Sequence, residues 1–192
     1  MRGFFLKYFG FLVIAILAGF GILLSSVVKA PQSADFENAR VVHVYDGDTV
    51  KLDNGEHVRL LGIDAPEMHE NPKLMRDSAR SGMDTKTILT MGREAYRYVK
   101  PLVDQKQVRL EFDVVRRDKY GRLLAYLYLT DGTFVNAEII KNGYAYPMTI
   151  PPNVRHADEF KEYFKEARAA NLGLWGKGNP ADGPSGGKKD GR

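Results

Sequence analysis

The 192-residue chain contains no cysteine. That excludes disulfide staples, thiolate metal ligands and a cysteine nucleophile. Histidine is also scarce. His43, His57, His69 and His156 show no metal-binding spacing, so nothing points to a zinc-type centre. His43 and His57 fall on expected strands and read as surface or core residues; His69 falls in a loop. A strong charge excess is missing too, with 28 Lys and Arg against 24 Asp and Glu. Three of those bases, Arg2, Lys7 and Lys29, lie in the first thirty positions, which hold no acid, so the remainder carries an excess of one. A generally basic coat is excluded, and any attraction for phosphate must be local. No internal repeat is visible, and the length suits one domain with end segments.

The one long apolar run is Tyr8 to Val28, 21 residues without a charge. At about 1.5 Å per residue it spans a hydrocarbon core of ~30 Å. Arg2 and Lys7 before it hold the N-terminus in the cytoplasm and send the body across. Residues 1–30 are therefore expected to anchor the chain in the membrane, with the body outside the cytoplasm. The alternative is a cleaved signal peptide, giving a secreted protein. Val28-Lys29-Ala30 fits such a cleavage site, although signal-peptide apolar cores run only ~7–15 residues. Residues 31–38 read as a polar linker. Residues 176–192, of which six are glycine, are expected to be disordered.

Residues 39–175 are punctuated by turn signals. The β-branched run Val41, Val42 and Val44 leads into Asp46-Gly47. Thr49, Val50 and Leu52 follow, and then Asp53-Asn54-Gly55, a strong hairpin signal. Val58 to Ile63 reads as a third strand, nearly continuous in apolar residues. Residues 94–103 read as a helix that Pro101 kinks or nearly ends. Further strands are expected at Val108–Phe112 and Leu123–Leu129. A short helix is expected over Asn136–Asn142, with Asn136 as its cap and Gly143 as its stop. A last helix is expected from Arg155 to Ala170, with Phe160, Phe164 and Ala167 facing the core. Leu172, Leu174 and Trp175 form an expected plug. Hairpin-linked strands, a helix, more strands and then helices suit an α+β fold, a small antiparallel barrel with helices at its side.

Four clusters carry possible chemistry. Asp46-Gly47-Asp48-Thr49 sits at a tight turn, and a β-turn alone accounts for it. In Arg59-Leu60-Leu61-Gly62-Ile63-Asp64-Ala65-Pro66-Glu67, an apolar run ends in two carboxylates. Arg59, lodged in that run, needs an anionic partner. Asp118-Lys119-Tyr120-Gly121-Arg122 lies in the densest basic patch of the body, with Arg116 and Arg117, and Tyr120 adds a stacking face. Tyr144 and Tyr146 suit either a rim role or contact with a ligand. Taken together, Asp48 and Asp64 supply hard oxygen ligands that favour Ca²⁺ over Zn²⁺. Arg59 and Arg122 suit bidentate grip on a phosphate, and Glu67 suits positioning or deprotonating a water.

These residues resemble the staphylococcal nuclease (thermonuclease) family. The likeness runs from about Val41 to Trp175 and rests on three ordered motifs: Asp46-Gly47-Asp48-Thr49-Val50, Arg59 to Glu67, and Asp118 to Arg122. The resemblance implies a five-stranded antiparallel OB-fold barrel with flanking helices. It also implies Ca²⁺-dependent endonucleolytic hydrolysis of DNA and RNA to 3′-phosphate ends. Asp48, Asp64 and the backbone carbonyl of Ala65 would hold the calcium. Arg59 and Arg122 would bind the scissile phosphate, Glu67 would act as base or water-positioner, and Lys119 and Tyr120 would contact substrate. A monomer is expected. The family's type member has threonine at the position of Ala65, a mild change for a backbone ligand. Its two nucleotide-pocket tyrosines give way here to Met148-Thr149-Ile150-Pro151-Pro152. Met68 to Met91 is longer than the family's equivalent and reads as an irregular loop, a lid or a partner surface. The rival class is a catalytically silent barrel that binds nucleic acid or protein. Such a scaffold has no need of Asp48, Arg59, Asp64, Glu67 and Arg122 together.

Overall fold

The computed structural model describes residues 36–176. The expected anchor or signal segment, most of the linker and the tail from 177 lie outside the described residues. Among those described, no helix is long and apolar enough to cross a membrane.

Strands β1 (Ala39–Val44), β2 (Thr49–Leu52) and β3 (His57–Leu60) form successive hairpins. Their turns fall at the Asp-Gly-Asp and Asp-Asn-Gly segments. A two-residue strand β4 (Ile63–Asp64) follows, then helices α1 (Pro72–Ser81) and α2 (Thr85–Val103). Next come β5 (Gln107–Arg117), β6 (Leu123–Leu129), α3 (Val135–Lys141), β7 (Tyr146–Pro147) and α4 (Ala157–Ala169). A 3₁₀ turn at Gly173–Trp175 closes the described chain.

Five strands close into a barrel in the order β1-β2-β3-β6-β5. The expectation of a wholly antiparallel barrel is corrected, because β3 and β6 run parallel. An odd ring cannot alternate direction at every neighbour, so one parallel pair is unavoidable. It falls between strands joined by a long crossover through two helices, since a parallel pair cannot be closed by a tight turn. Alternation sends Val41, Val50, Leu52, Val58, Leu60, Val108, Leu110, Ala125 and Leu127 into the interior, each at most 3% exposed. At roughly 1.5–3 kcal/mol per buried Val or Leu, this interior is the main source of stability.

The third strand does not continue to Ile63. It ends at Leu60, and Gly62, at φ +78°, turns the chain. Ile63 and Asp64 then pair with β7 in a separate two-stranded sheet. A Cβ on Gly62 would overlap the Phe160 ring of α4, so both the dihedral and the packing call for glycine there.

The segment 68–91 is not an irregular loop. Asn71 caps α1 by accepting the Leu74 N–H at 2.9 Å, with Pro72 beginning the helix. Asp84 caps α2 by accepting the Thr87 N–H at 3.0 Å. The second helix thus begins well before residue 94, and Pro101 is accommodated in its last turn. β5 extends beyond Phe112 to Arg117, where it becomes exposed.

Asn136 is not a helix cap. The cap position of α3 is Phe134, and Asn136 is fully buried. Its side chain accepts the Leu127 N–H and donates to the Leu61 carbonyl, each at 2.9 Å. Phe160 and Ala167 face inward as expected, and Phe164 is partly buried. Leu174 and Trp175 are buried, but Leu172 is 41% exposed and does not belong to the plug.

Candidate active site

The site begins at the β1–β2 turn. The Asp46 carboxylate accepts the Asp48 N–H at 2.9 Å, an Asx turn that aims the Asp48 side chain back across the hairpin. Asp48 is 6% exposed. It accepts the Ala65 N–H at 2.7 Å and the Thr49 hydroxyl at 3.0 Å. The first cluster is therefore welded to the second by a direct bond to the backbone of Ala65.

Arg59 sits across from Thr49 on β3. Its Nη1 lies 2.9 Å from Asp48 Oδ2 and its Nη2 lies 2.9 Å from Asp64 Oδ1. With the side chain only 11% exposed, these two carboxylates are the anionic partners that the sequence demands. A guanidinium fork suits such a bridge, where a lysine would reach only a point contact.

Glu67 lies one turn further on. Its Oε1 accepts from Lys73 Nζ at 2.7 Å and its Oε2 from Asn71 Nδ2 at 2.6 Å. Lys73 also lies 3.3 Å from Asp64 and 3.4 Å from Asp77. α2 packs directly behind: a Cβ on Gly92 would overlap the Glu67 carbonyl. Asn71 and Lys73 were not singled out from the sequence, because their segment reads there as a loop. The available signal was Asn71-Pro72, which places a helix start four residues beyond Glu67.

The carboxylates are crowded. Burial, reinforced by the Asp48 carboxylate, pushes Asp46 up to about 7 against the pull of Arg59. Burial also raises Asp64, outweighing Lys73 and Arg59. Burial alone would lower the Lys73 ammonium, but Asp64, Glu67 and Asp77 outweigh it and hold it above its ordinary value.

Arg122 is held from its own turn. Its Nε and Nη2 each lie 2.8 Å from Asp118 Oδ2, and its N–H donates to Asp118 Oδ1 at 3.0 Å. Arg59 and Arg122 line one cavity of about 310 Å³, together with Met148, Ile150 and the Pro151-Pro152 segment. Tyr120 is 73% exposed, with Lys119 Nζ 5.0 Å and the Arg122 guanidinium 5.7 Å from its ring centroid. The basic patch is less concentrated than its sequence implies. Arg117 pairs with Glu56 at 2.7 Å, and Arg116 lies over Phe112.

The structure thus gathers Asp48, Arg59, Asp64, Ala65 and Glu67 into one cluster and places Arg122 across a shared cavity from Arg59. Three of the histidines stand apart. His57 stacks on Tyr45, His43 meets the same ring edge-on, and His156 packs against Tyr126, Phe134 and Phe160. Tyr144 stacks on Tyr98, away from the cluster, whereas Tyr146 pairs with Asp64 across β4–β7.

The family described as staphylococcal nuclease homologue matches residues 57–177. The chain belongs to the staphylococcal nuclease family. It is 33% identical to a thermonuclease of Staphylococcus intermedius over 142 residues, covering 72% of this chain and 76% of that one. It is 34% identical to the endonuclease YncB of Bacillus subtilis over 145 residues, covering 73% and 62% respectively. An uncharacterized protein of Methanocaldococcus jannaschii is 35% identical over 151 residues, covering 73% and 72%. The family match begins at β3 and includes the Arg59–Glu67 stretch and the Asp118–Arg122 turn, the two segments that carry both arginines.

The resemblance implies calcium, and the donor set suits a hard cation. Asp48 and Asp64 offer carboxylate oxygens and Ala65 a backbone carbonyl, with no imidazole or thiolate among them. Among the described residues, no group of three or more His, Asp and Glu side chains is set out to hold a metal.

Proposed function

We propose that the chain is a calcium-dependent endonuclease that hydrolyses the phosphodiester bonds of DNA and RNA and leaves 3′-phosphate ends. The observation that carries this reading is the Arg59 guanidinium. It touches Asp48 and Asp64 at 2.9 Å each and lines the same cavity as Arg122. A barrel used only for binding has no need to bury a cation between two acids beside a second arginine.

Arg59 and Arg122 take two of the scissile phosphate's oxygens, so the charge that builds up in the transition state meets fixed donors. Asp48, Asp64 and the Ala65 carbonyl would hold the calcium, which when bound would polarise the phosphate and offset its charge. Glu67, fixed by Asn71 and Lys73, orients the attacking water or takes its proton. Asp118 keeps the Arg122 guanidinium aimed before substrate arrives. Lys119 and Tyr120, on the exposed turn, meet a neighbouring phosphate and base. The substrate phosphate must compete with Asp48 and Asp64 for Arg59.

The same reading has residues 8–28 tether a monomeric enzyme to the membrane with its domain outside the cytoplasm, or direct its secretion if cleaved. The support is the uncharged run preceded by Arg2 and Lys7. Membrane fractionation with an intact mass measurement separates the two.

The deciding experiment incubates the purified full chain with single-stranded DNA and RNA, with Ca²⁺ or with chelator. Cleavage should need Ca²⁺, and Arg122→Ala should cost roughly 10²–10³-fold in rate with folding unchanged. Cleavage that persists in chelator, or at full rate in the variant, would sink the mechanism.

A further inference from the structure

A second cavity, of about 330 Å³, opens on the other side of the cluster. Asp64 and Ala65 form its inner end; Met83, Ile88, Tyr146 and Met148 form its walls. Met83 and Ile88 come from the α1–α2 junction and the start of α2. Met148 also lines the Arg59–Arg122 cavity. One side chain therefore stands between two spaces of nearly equal size, and the phosphate-binding cluster lies at the boundary.

From this geometry we propose that the second cavity is a nucleoside subsite, taking the base and sugar on the side of the scissile phosphate opposite to the Arg59–Arg122 cavity. The proposal rests on the nuclease reading for its substrate and adds where the second nucleoside lies. The volume is at the small end of ligand pockets, ~300–1,000 Å³, which suits one nucleoside and not a longer segment. The lining offers three thioethers, Met83, Met91 and Met148, and one aromatic ring, beside the polar side chains of Asp77, Arg80 and Ser81. The thioethers and the ring suit the face of any base without selecting among bases. Tyr146 is held edge-on to Trp175 at 5.0 Å and tilted against Phe164 at 5.9 Å, so this wall is preset. Arg80 stands at the rim with its side chain 77% exposed, paired to Asp77. From there its guanidinium reaches the next phosphate along the strand.

The test uses the full chain in chelator, so that binding is read without turnover. The probes are a dinucleoside phosphate and two methyl phosphodiesters, one carrying its nucleoside on the 3′ oxygen and the other on the 5′ oxygen. Affinities come from competition against a labelled oligothymidylate. Met83→Glu puts a carboxylate at a partly buried wall position, and Arg80→Ala removes the rim cation. Met83→Glu should weaken the dinucleoside phosphate and one methyl diester by about tenfold and leave the other within about twofold. The dinucleoside phosphate should also change the fluorescence of Trp175, the only tryptophan, in the native protein and not in Met83→Glu. Arg80→Ala should weaken the labelled oligothymidylate, which carries further phosphates, and leave the three short probes within about twofold. If Met83→Glu leaves all three probes within about twofold, or weakens all three equally, the subsite is wrong. Binding as predicted in a protein that cleaves nothing once Ca²⁺ is restored would refute the nuclease reading and uphold the subsite.

Discussion

Asn136 allows a sharp test of how the barrel holds its site. Its amide joins two backbone groups that have no water to turn to, the Leu127 N–H on β6 and the Leu61 carbonyl just before Gly62. Leu127 is fully buried and Leu61 is 8% exposed. Asn136→Ala removes both partners at once. Each orphaned buried group costs about 1–3 kcal/mol, and the desolvation of the amide itself is regained, so a net loss of about 2–4 kcal/mol is expected. That is a large share of the ~5–15 kcal/mol available to a domain. It corresponds to a fall in Tm of about 4–16 °C at 2–4 °C per kcal/mol for a domain of this size. Urea denaturation should show the midpoint falling with the slope unchanged. Asn136→Asp keeps an acceptor for Leu127 but sets an oxygen against the Leu61 carbonyl, and it should be at least as damaging. If Asn136→Ala cost less than about 1 kcal/mol, the amide would not be satisfying these groups, and the reasoning would fail.

Three further outcomes follow from contacts around the cluster. Gly92→Ala forces a Cβ into the Glu67 carbonyl; a loss of about 1–3 kcal/mol in urea unfolding is expected, together with reduced turnover as Glu67 shifts. Lys73→Met removes an ammonium 3.3 Å from Asp64 and 2.7 Å from Glu67. Turnover should fall while half-maximal activity is reached at roughly tenfold less Ca²⁺, because the cation no longer competes with a fixed charge. A calcium titration showing the opposite shift would refute this role. The hydrogen bond from Arg117 holds Glu56 below its ordinary range. That contribution is present above the unfolded glutamate value, about 4.3, and is lost as pH falls through the lower folded value. Because the pair is well exposed, Glu56→Gln should cost under about 1 kcal/mol at pH 7, and the difference should vanish at strongly acid pH.

What could be read in the sequence depended on how much of each element is buried. β1, β2 and β6 combine β-branched or alternating apolar residues with Asp-Gly and Asn-Gly turns, so both the strands and their hairpins were legible. α1 was not, because Leu74 alone of its ten residues is buried. Its apolar pattern has no period to detect, although Asn71-Pro72, Gly82 and Asp84 mark its ends and the next start. β4 is two residues long, too short for any pattern. Asn136 was misassigned because its residue type favours caps, whereas its role depends on two backbone groups distant in the chain. Within the site, Asp48, Arg59, Asp64 and Glu67 were legible because carboxylates flanking an arginine in an apolar run are hard to explain by burial. Asn71 and Lys73 were not, since their meaning depends on a helix N-terminus docking at Glu67.

The Arg59–Glu67 stretch works because it is not one strand. In a continuous strand, residues five apart point to opposite faces, and they lie roughly 17 Å apart. Arg59 and Asp64 would then never meet. Their 2.9 Å contact exists because Gly62 turns the chain and hands Ile63 and Asp64 to β7. Gly62→Ala should therefore act on the chemistry as well as on stability. A left-handed dihedral costs an alanine about 1–2 kcal/mol, and its Cβ also overlaps the Phe160 ring. Loss of cleavage should exceed what the fraction unfolded explains, because Asp64 is displaced from Arg59 even in folded molecules. Pairing it with Phe160→Leu removes the overlap but not the dihedral. The double variant should recover part of the stability relative to the sum of the single changes. Full activity in Gly62→Ala, measured where the variant is fully folded, would show that the turn does not set the Arg59–Asp64 geometry.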